Sequence, residues 1–404
     1  MVFSATRDLI PLYGLYEVLF ADHGLSTAQI SSLLAIWSLT GFVLEVPSGA
    51  WADTVSRRAL LILGSALLAL GFAIWTLVPS YWGFAAGFVL WGTSGALQSG
   101  TFEALLYDEL TARCTTDSYA RIIGYSTAAG ETAALLATLT AAPMYSWGGY
   151  GLVGWLSVGA ALVHCLAAGA MPSAPKALEV ADSATKPVGA YLGMLRSGAA
   201  EFLARPRVRF GVLLAALLYG FTAFDEYFGL LARAEGVAIA TIPLLVGITL
   251  AGQVVGTALA GRTAAMRART MVAVLLAAAG LLAIGALLGG PGVIGALGFV
   301  ALGTAYGAIN NAVIVTEVRL QEAITGAARA TVTSVASLFS ELVALAVFGA
   351  VALVSMWFSL PTVVALLGIP VALAATAVPR WLPRHQPRRH AEVEVVVSDS
   401  AMTG

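Results

Sequence analysis

Between Ala59 and Phe102 the chain carries no charged side chain, and the same holds from Thr132 to Pro175 and from Met271 to Thr316. One bilayer crossing takes roughly 20 apolar residues, so each of these runs holds two. Turn residues fall near the middle of each: Pro79-Ser80-Tyr81-Trp82, Trp147-Gly148-Gly149-Tyr150 and Gly289-Gly290-Pro291-Gly292. Ala330 to Pro379 carries only Glu341 and turns near Phe358 to Pro361. Two hairpins are less clean. Leu9 to Ala52 holds Glu17, Asp22 and Glu45, and Phe210 to Gly261 holds Asp225, Glu226, Arg233 and Glu235. Six hairpins predict twelve transmembrane helices in an all-α membrane protein. With 59% apolar and 11% charged residues and a mean hydropathy of +0.87, the composition excludes a soluble chain of this length.

Basic residues fix the expected orientation. Every Arg and Lys except Arg233 lies at a terminus or in a segment joining one hairpin to the next. The positive-inside rule then places both termini in the cytoplasm. The long polar stretch, with Pro172, Pro175, Pro187 and Pro206, splits the spans six and six. The expected organisation is a six-helix bundle over 1–171, a cytoplasmic linker over 172–206 and a second bundle over 207–379. A short amphipathic run near Tyr191 to Leu203 falls in the linker, and a disordered cytoplasmic tail is expected over 380–404. The first apolar stretch follows Arg7-Asp8, contains Glu17 and lacks a small-residue cleavage site, so no cleavable signal is expected. Cys114 and Cys165 read as free thiols.

The segment after the second span reads Gly49-Ala50-Trp51-Ala52-Asp53-Thr54-Val55-Ser56-Arg57-Arg58. It resembles the G-x-x-x-D-x-x-x-R-R/K loop of the major facilitator superfamily, at the place where that family carries it. The resemblance covers Arg7 to about Pro379 and implies two pseudo-symmetric six-helix bundles working by alternating access. An internal trace agrees: Gly92-Thr93-Ser94-Gly95-Ala96-Leu97-Gln98 in span four is similar to Gly303-Thr304-Ala305-Tyr306-Gly307-Ala308-Ile309-Asn310 in span ten. The alternative is two unrelated Gly-rich packing faces. The loop over Gly256 to Arg269 keeps its arginines but has no counterpart of Asp53. Features of many proton-driven drug exporters of the family are also missing. No Arg precedes Gln98, and Gly124 to Ala142 has no Gly-Pro pair.

Carboxylates within spans are costly and point to function. At about 1.5 Å per residue, Glu17 lies roughly 15 Å from Arg7, Glu131 as far from Arg121, and Glu341 roughly 18 Å from Arg329. These three are the candidates for proton coupling, because a desolvated carboxylate can load a proton on one side and release it on the other. The resemblance implies that spans one, four, seven and ten line a central cavity. This makes Glu17, Gln98, Asp225, Glu226, Asn310 and Asn311 cavity candidates; the alternatives are bonds to neighbouring helices and, for Asp225 and Glu226, pairing with Arg233. His164 on span six reads as a packing residue. Gly49, Asp53, Arg57 and Arg58, facing Glu103, Asp108 and Arg113 with Glu317 and Arg319 nearby, form a candidate cytoplasmic gate; the alternative is static anchoring.

No Lys or Arg lies within a span except near its ends, so an anionic cargo would find no fixed positive charge. The expected cargo is a cationic or neutral amphiphilic drug or metabolite, exported against a proton. Import of a sugar or other neutral metabolite, or a non-transporting sensor, are the alternatives. No HExxH, nucleophile elbow, CxxC pair or nucleotide loop is present. Neither an enzyme nor an ATP-driven pump is expected, and no cofactor or metal. The expected partners are a small-molecule substrate, a proton and the lipid bilayer of the inner membrane. No nucleic acid is among them, and the chain is expected to act as a monomer.

Overall fold

The computed structural model describes residues 1–172, 205–324 and 329–384. The expected linker helix near Tyr191 to Leu203 and most of the expected tail lie outside the described residues.

Twelve transmembrane spans are present among the described residues. Span one is a broken helix: Val2–Asp8, a 3-10 turn at Pro11–Gly14, then Tyr16–Asp22. Pro11 has no N–H and drives Ile10 into an extended conformation (φ −112°, ψ 104°), which ends the first piece. The interruption frees the Leu12 N–H, which donates to Ser157 Oγ of span six at 3.0 Å. In lipid every such group needs a protein partner.

Span two, Thr27–Thr54, starts at a capping box in which Ser26 and Gln29 satisfy each other's backbone donors. Span three is Arg57–Leu77, capped by Ser56. Span four runs over Tyr81–Gln98 and breaks at Gly100 (φ +70°), and Thr101–Ala112 continues it beyond the break. Spans five and six lie in Tyr119–Gly169 and turn at Gly148 and Gly149, where Gly149 takes φ +60°.

Span seven repeats the interruption of span one. Pro206–Phe221 gives way to a 3-10 turn over Thr222–Tyr227, then Phe228–Ala234. Spans eight to eleven are Ile242–Thr263, Ala268–Leu287, Val293–Ala323 and Arg329–Val354, and span twelve comprises Leu360–Leu366 and Gly368–Trp381. The turns fall where the sequence places them, with Gly290 (φ +118°) and Gly292 (φ +91°) between spans nine and ten. Spans one and four are the two that fall short of a continuous apolar crossing helix by length and composition.

The two halves repeat one packing scheme. Span two lies along span four, and span eight lies along span ten. A Cβ on Gly92 would sit 2.9 Å from Trp37 O of span two, and one on Gly303 would sit 2.9 Å from Ile248 O of span eight. The glycines that signalled a repeat therefore make the same approach to the same partner span in each half. The halves meet along two seams, span two on span eleven and span five on span eight.

The seam between spans eight and ten leaves no room for side chains. Cβ atoms on Gly252 and Gly256 would collide with the carbonyls of Gly303 and Gly307. Gly256→Val is expected to destabilise the purified protein by about 1–3 kcal/mol, as overpacking of a closed contact does. Gly261→Ala, where the space is open, should leave the melting temperature in detergent unchanged. Equal melting of both variants would remove the seam as a determinant of the fold.

Candidate functional site: the central cavity

A cavity of about 1990 Å³ opens between the halves. It starts near mid-span at Trp37, Trp91, Asp225, Glu226 and Tyr306 and widens to Glu45, Ser99, Glu322 and Thr333 at the end that bears the arginines. Its lining holds six carboxyl groups, from Glu45, Asp225, Glu226, Glu317, Glu322 and Glu341, and among the described residues no Lys or Arg.

The 3-10 turn of span seven presents Asp225 and Glu226 to the blind end. Tyr306 of span ten donates its hydroxyl to Asp225 Oδ2 at 2.5 Å. Tyr16 of span one donates to Glu226 Oε2, a bond that joins the two halves. An aromatic block aims Tyr16: its ring stacks on Trp75 at 5.7 Å and meets Phe88 and Trp91 edge-on at 5.9 and 6.0 Å. Trp75 is fixed in turn by its indole N–H, which donates to Phe84 O at 3.0 Å. Such ring pairs contribute about 0.5–1.5 kcal/mol each beyond their burial.

Glu17 is 6% exposed and lies behind this pair, with Oε2 where a Cβ on Gly229 of span seven would be 3.0 Å away. Three carboxyl groups thus gather where spans one and seven are interrupted. Glu341 on span eleven accepts from Ser38 Oγ of span two at 2.5 Å and faces the cavity. Asn310 also lines it and donates to Tyr306 O at 3.0 Å.

The structure places the other candidates elsewhere. Gln98 is buried in the first half, donating to Ser94 Oγ at 2.9 Å and lying 3.0 Å from His164 Nε2. His164 Nδ1 meets Thr6 Oγ1 at 3.2 Å, so this chain of polar groups ties spans one, four and six. Asn311 holds the seam of spans eight and ten, donating to Gly256 O at 3.0 Å and Thr263 Oγ1 at 2.9 Å. Glu131 is exposed on span five and outside the cavity lining, because its neighbour Gly130 takes the inward position against Asp8.

At the basic end Arg57 pairs with Asp108, and Arg58 donates to Gly169 O. Both contacts stay within the first half, joining span three to the extension of span four and to span six. Arg113 pairs with Glu109 one helical turn away. Gly49 and Glu103 are exposed, and the side chain of Asp53 lies outside the described residues. Arg319 is 4% exposed and donates to Ala264 O at 2.7 Å and Met266 O at 2.5 Å, which fastens the loop between spans eight and nine.

The bond across the opposite end is one that sequence reasoning missed. Arg233 pairs with Asp22, with Nε 2.6 Å from Oδ1, and Tyr150 donates to Asp22 Oδ2 at 2.5 Å. Arg233 therefore does not serve Asp225 or Glu226; it joins span seven to spans one and six. Ser31 and Tyr227, 2.8 Å apart, add a second cross-half contact just inside. A signal existed: Arg233 is the one basic residue in a hairpin turn, and Asp22 is the acid at the matching end of span one. Beside this latch Glu235 accepts from Gly290 N at 3.2 Å. Burial pushes its carboxyl up from the usual range, and that backbone donor partly offsets the effect.

Two pseudo-symmetric bundles around a cavity open at one end and joined at the other give the chain the architecture of a membrane transporter. The Major Facilitator Superfamily profile matches residues 2–340, and the chain belongs to that family. It is 29% identical over 201 residues to the Inner membrane transport protein YajR of Escherichia coli (strain K12), a match covering 49% of this chain and 41% of that protein. Its fold is similar to that of the nucleoside transporter NupG, with TM-score 0.71, 13% identity, and 93% and 95% of the two chains covered. It is also similar to a D-xylose-proton symporter, with TM-score 0.66, 15% identity, and 95% of each chain covered. A bacterial homologue of the lysosomal transporter Spinster, solved in an inward-facing and occupied conformation, matches with TM-score 0.68, 14% identity and 93% of each chain covered.

The latch gives a direct expectation. A part-exposed ion pair contributes up to about 1 kcal/mol, so Asp22→Asn should raise the population open at that end by up to about fivefold. The readout is maleimide labelling of Ser31→Cys in a background with Cys114 and Cys165 replaced by Ser. An unchanged labelling rate would show that the pair does not hold the end closed.

Proposed function

We propose that the chain exports a cationic or neutral amphiphilic small molecule in exchange for protons by alternating access, in the inner membrane with both termini cytoplasmic. The supporting observation is the cavity lining, with six carboxyl groups, the rings of Trp37, Trp91, Tyr219, Tyr306 and Phe348, and no basic side chain among the described residues. Carboxylates favour a cation, ring faces favour its apolar or aromatic body, and the described lining offers an anion no fixed positive charge. With the basic end taken as cytoplasmic, the cavity faces the side from which cargo for export would arrive.

In this reading the proton sits on the Asp225–Glu226 pair with Glu17 behind it. The three groups share one low-dielectric volume and cannot all ionise at small cost. Glu226 accepts from Tyr16 across the halves, so its protonation state bears on a bond that must break before the opposite end opens. Glu131, outside the cavity, has no part in this scheme. A second reading takes its support from the neighbours titled nucleoside transporter and D-xylose-proton symporter and from the amides of Gln253 and Asn310 in the lining. It is proton-coupled import of a neutral, hydroxylated solute.

Everted vesicles separate the two. A pH gradient, acid inside, should drive accumulation of lipophilic cations, and Glu226→Gln should cut that accumulation at least tenfold while leaving gradient-free counterflow. Uptake of a neutral sugar or nucleoside by right-side-out vesicles, with no response to cations, would establish the second reading instead. For orientation, reporter fusions at Ser173 and after Pro379 are expected to read cytoplasmic and one at Gly149 external. The opposite pattern would invert the direction assigned to the cavity.

A further inference from the structure

Glu341 differs from the other mid-membrane carboxyls in what holds it and in what surrounds it. Asp225 and Glu226 each accept from a phenol at the blind end of the cavity. Glu341 lies along the wall, on span eleven, and accepts from the aliphatic hydroxyl of Ser38. No Lys or Arg among the described residues faces it from the cavity lining.

Space and ring faces lie beside it. Gly41 is one helical turn beyond Ser38 on span two, and Gly95 lies on span four. Both line the cavity, and a Cβ built on either meets nothing within 4 Å. Trp37 adjoins Ser38, its ring 5.1 Å from that of Trp91. Phe348 follows Glu341 two turns along span eleven, on the same face of the helix. A fixed carboxylate next to open volume and aromatic walls attracts a lipophilic cation twice, through the ion pair and through the ring quadrupoles.

We propose that Glu341 receives the positively charged head of the cargo, that Trp37, Trp91 and Phe348 wall in its apolar substituents, and that the cation displaces Ser38 from the carboxylate. The inference rests on the reading of the cavity as a cation site. It adds a consequence for the transport cycle. Ser38 belongs to one half and Glu341 to the other, so occupancy removes a bond across the seam of spans two and eleven.

The test is equilibrium binding of two probes of similar bulk to the purified full chain in detergent: tetraphenylphosphonium, a cation, and triphenylphosphine oxide, which is neutral. Glu341→Gln is expected to weaken tetraphenylphosphonium at least tenfold and to change the oxide less than twofold. Ser38→Ala, which removes the competing donor, should tighten tetraphenylphosphonium, an effect that a merely structural serine would not produce. Gly41→Leu fills the open volume without touching any charge and should weaken both probes. Glu131→Gln, a carboxyl outside the cavity, should change neither. Size-exclusion profiles identify a misfolded variant, and Ser38→Ala and Gly41→Leu then carry the test. Wild-type affinity for the cation in Glu341→Gln, with Ser38→Ala unchanged, would overturn the assignment of Glu341 and leave the cation reading of the cavity standing. Failure of the wild-type protein to bind tetraphenylphosphonium would overturn both.

Discussion

Carboxyl groups in mid-membrane without basic partners are the constraint around which the centre of this protein is arranged. An ionised carboxylate there keeps only the water that the cavity admits and, among the cavity-lining residues described, has no guanidinium or ammonium beside it. What the fold supplies is hydroxyl groups: Tyr16 for Glu226, Tyr306 for Asp225 and Ser38 for Glu341. Two of these three bonds run from one half of the molecule to the other. The solvation of the acids and the closure of the halves are therefore one problem with one solution. Anything that changes the charge or occupancy of an acid changes the bonds that hold the halves together.

The breaks in spans one and seven serve the same end. An unbroken helix buries its backbone groups within itself and offers only side chains to a cavity. Pro11 ends the first piece of span one, and the 3-10 turn at Thr222–Tyr227 carries the adjacent residues Asp225 and Glu226, which both line the cavity. Consecutive positions diverge by about 100° on an α-helix and by about 120° in a 3-10 turn, and the two acids accordingly take different partners, Tyr306 for Asp225 and Tyr16 for Glu226. The cost of the interruption is a set of loose backbone donors. Ser157 takes one of them, the N–H of Leu12.

Much of the architecture was legible from charge alone. The runs Ala59 to Phe102 and Met271 to Thr316 turn back at the Pro and Gly clusters that the sequence offers, because lipid-facing backbone must keep its helical hydrogen bonds. The Gly92 and Gly303 segments foretold a repeat, and each lies against the equivalent neighbouring span. The site was harder to read. Distance along a helix gives depth, which made Glu131 a candidate, while Gln98 and Asn311 were candidates through the spans on which they sit. Neither gives azimuth. Glu131 turns outward because Gly130 takes the position against Asp8, and Gln98 and Asn311 bond neighbouring spans that composition cannot identify. Pairings between distant segments were the least legible. Nothing within Phe210 to Gly261 says that Arg233 would choose Asp22 over its near neighbours Asp225 and Glu226.

That choice has a physical reason. Arg233 lies at the end of the second piece of span seven, two helical turns beyond Glu226, where part of its guanidinium still meets water. Pulling it down to the buried acids would strip that hydration, and burying an ion pair recovers the loss only with near-ideal geometry. Pairing with Asp22 at the rim keeps both ions partly solvated and makes the bond weak, in the range of part-exposed ion pairs. Weakness suits the place. A bolt between two halves that must separate in every cycle has to be worth little more than the thermal energy available to break it. The buried acids, left without a cation of their own, remain free for one that arrives through the cavity.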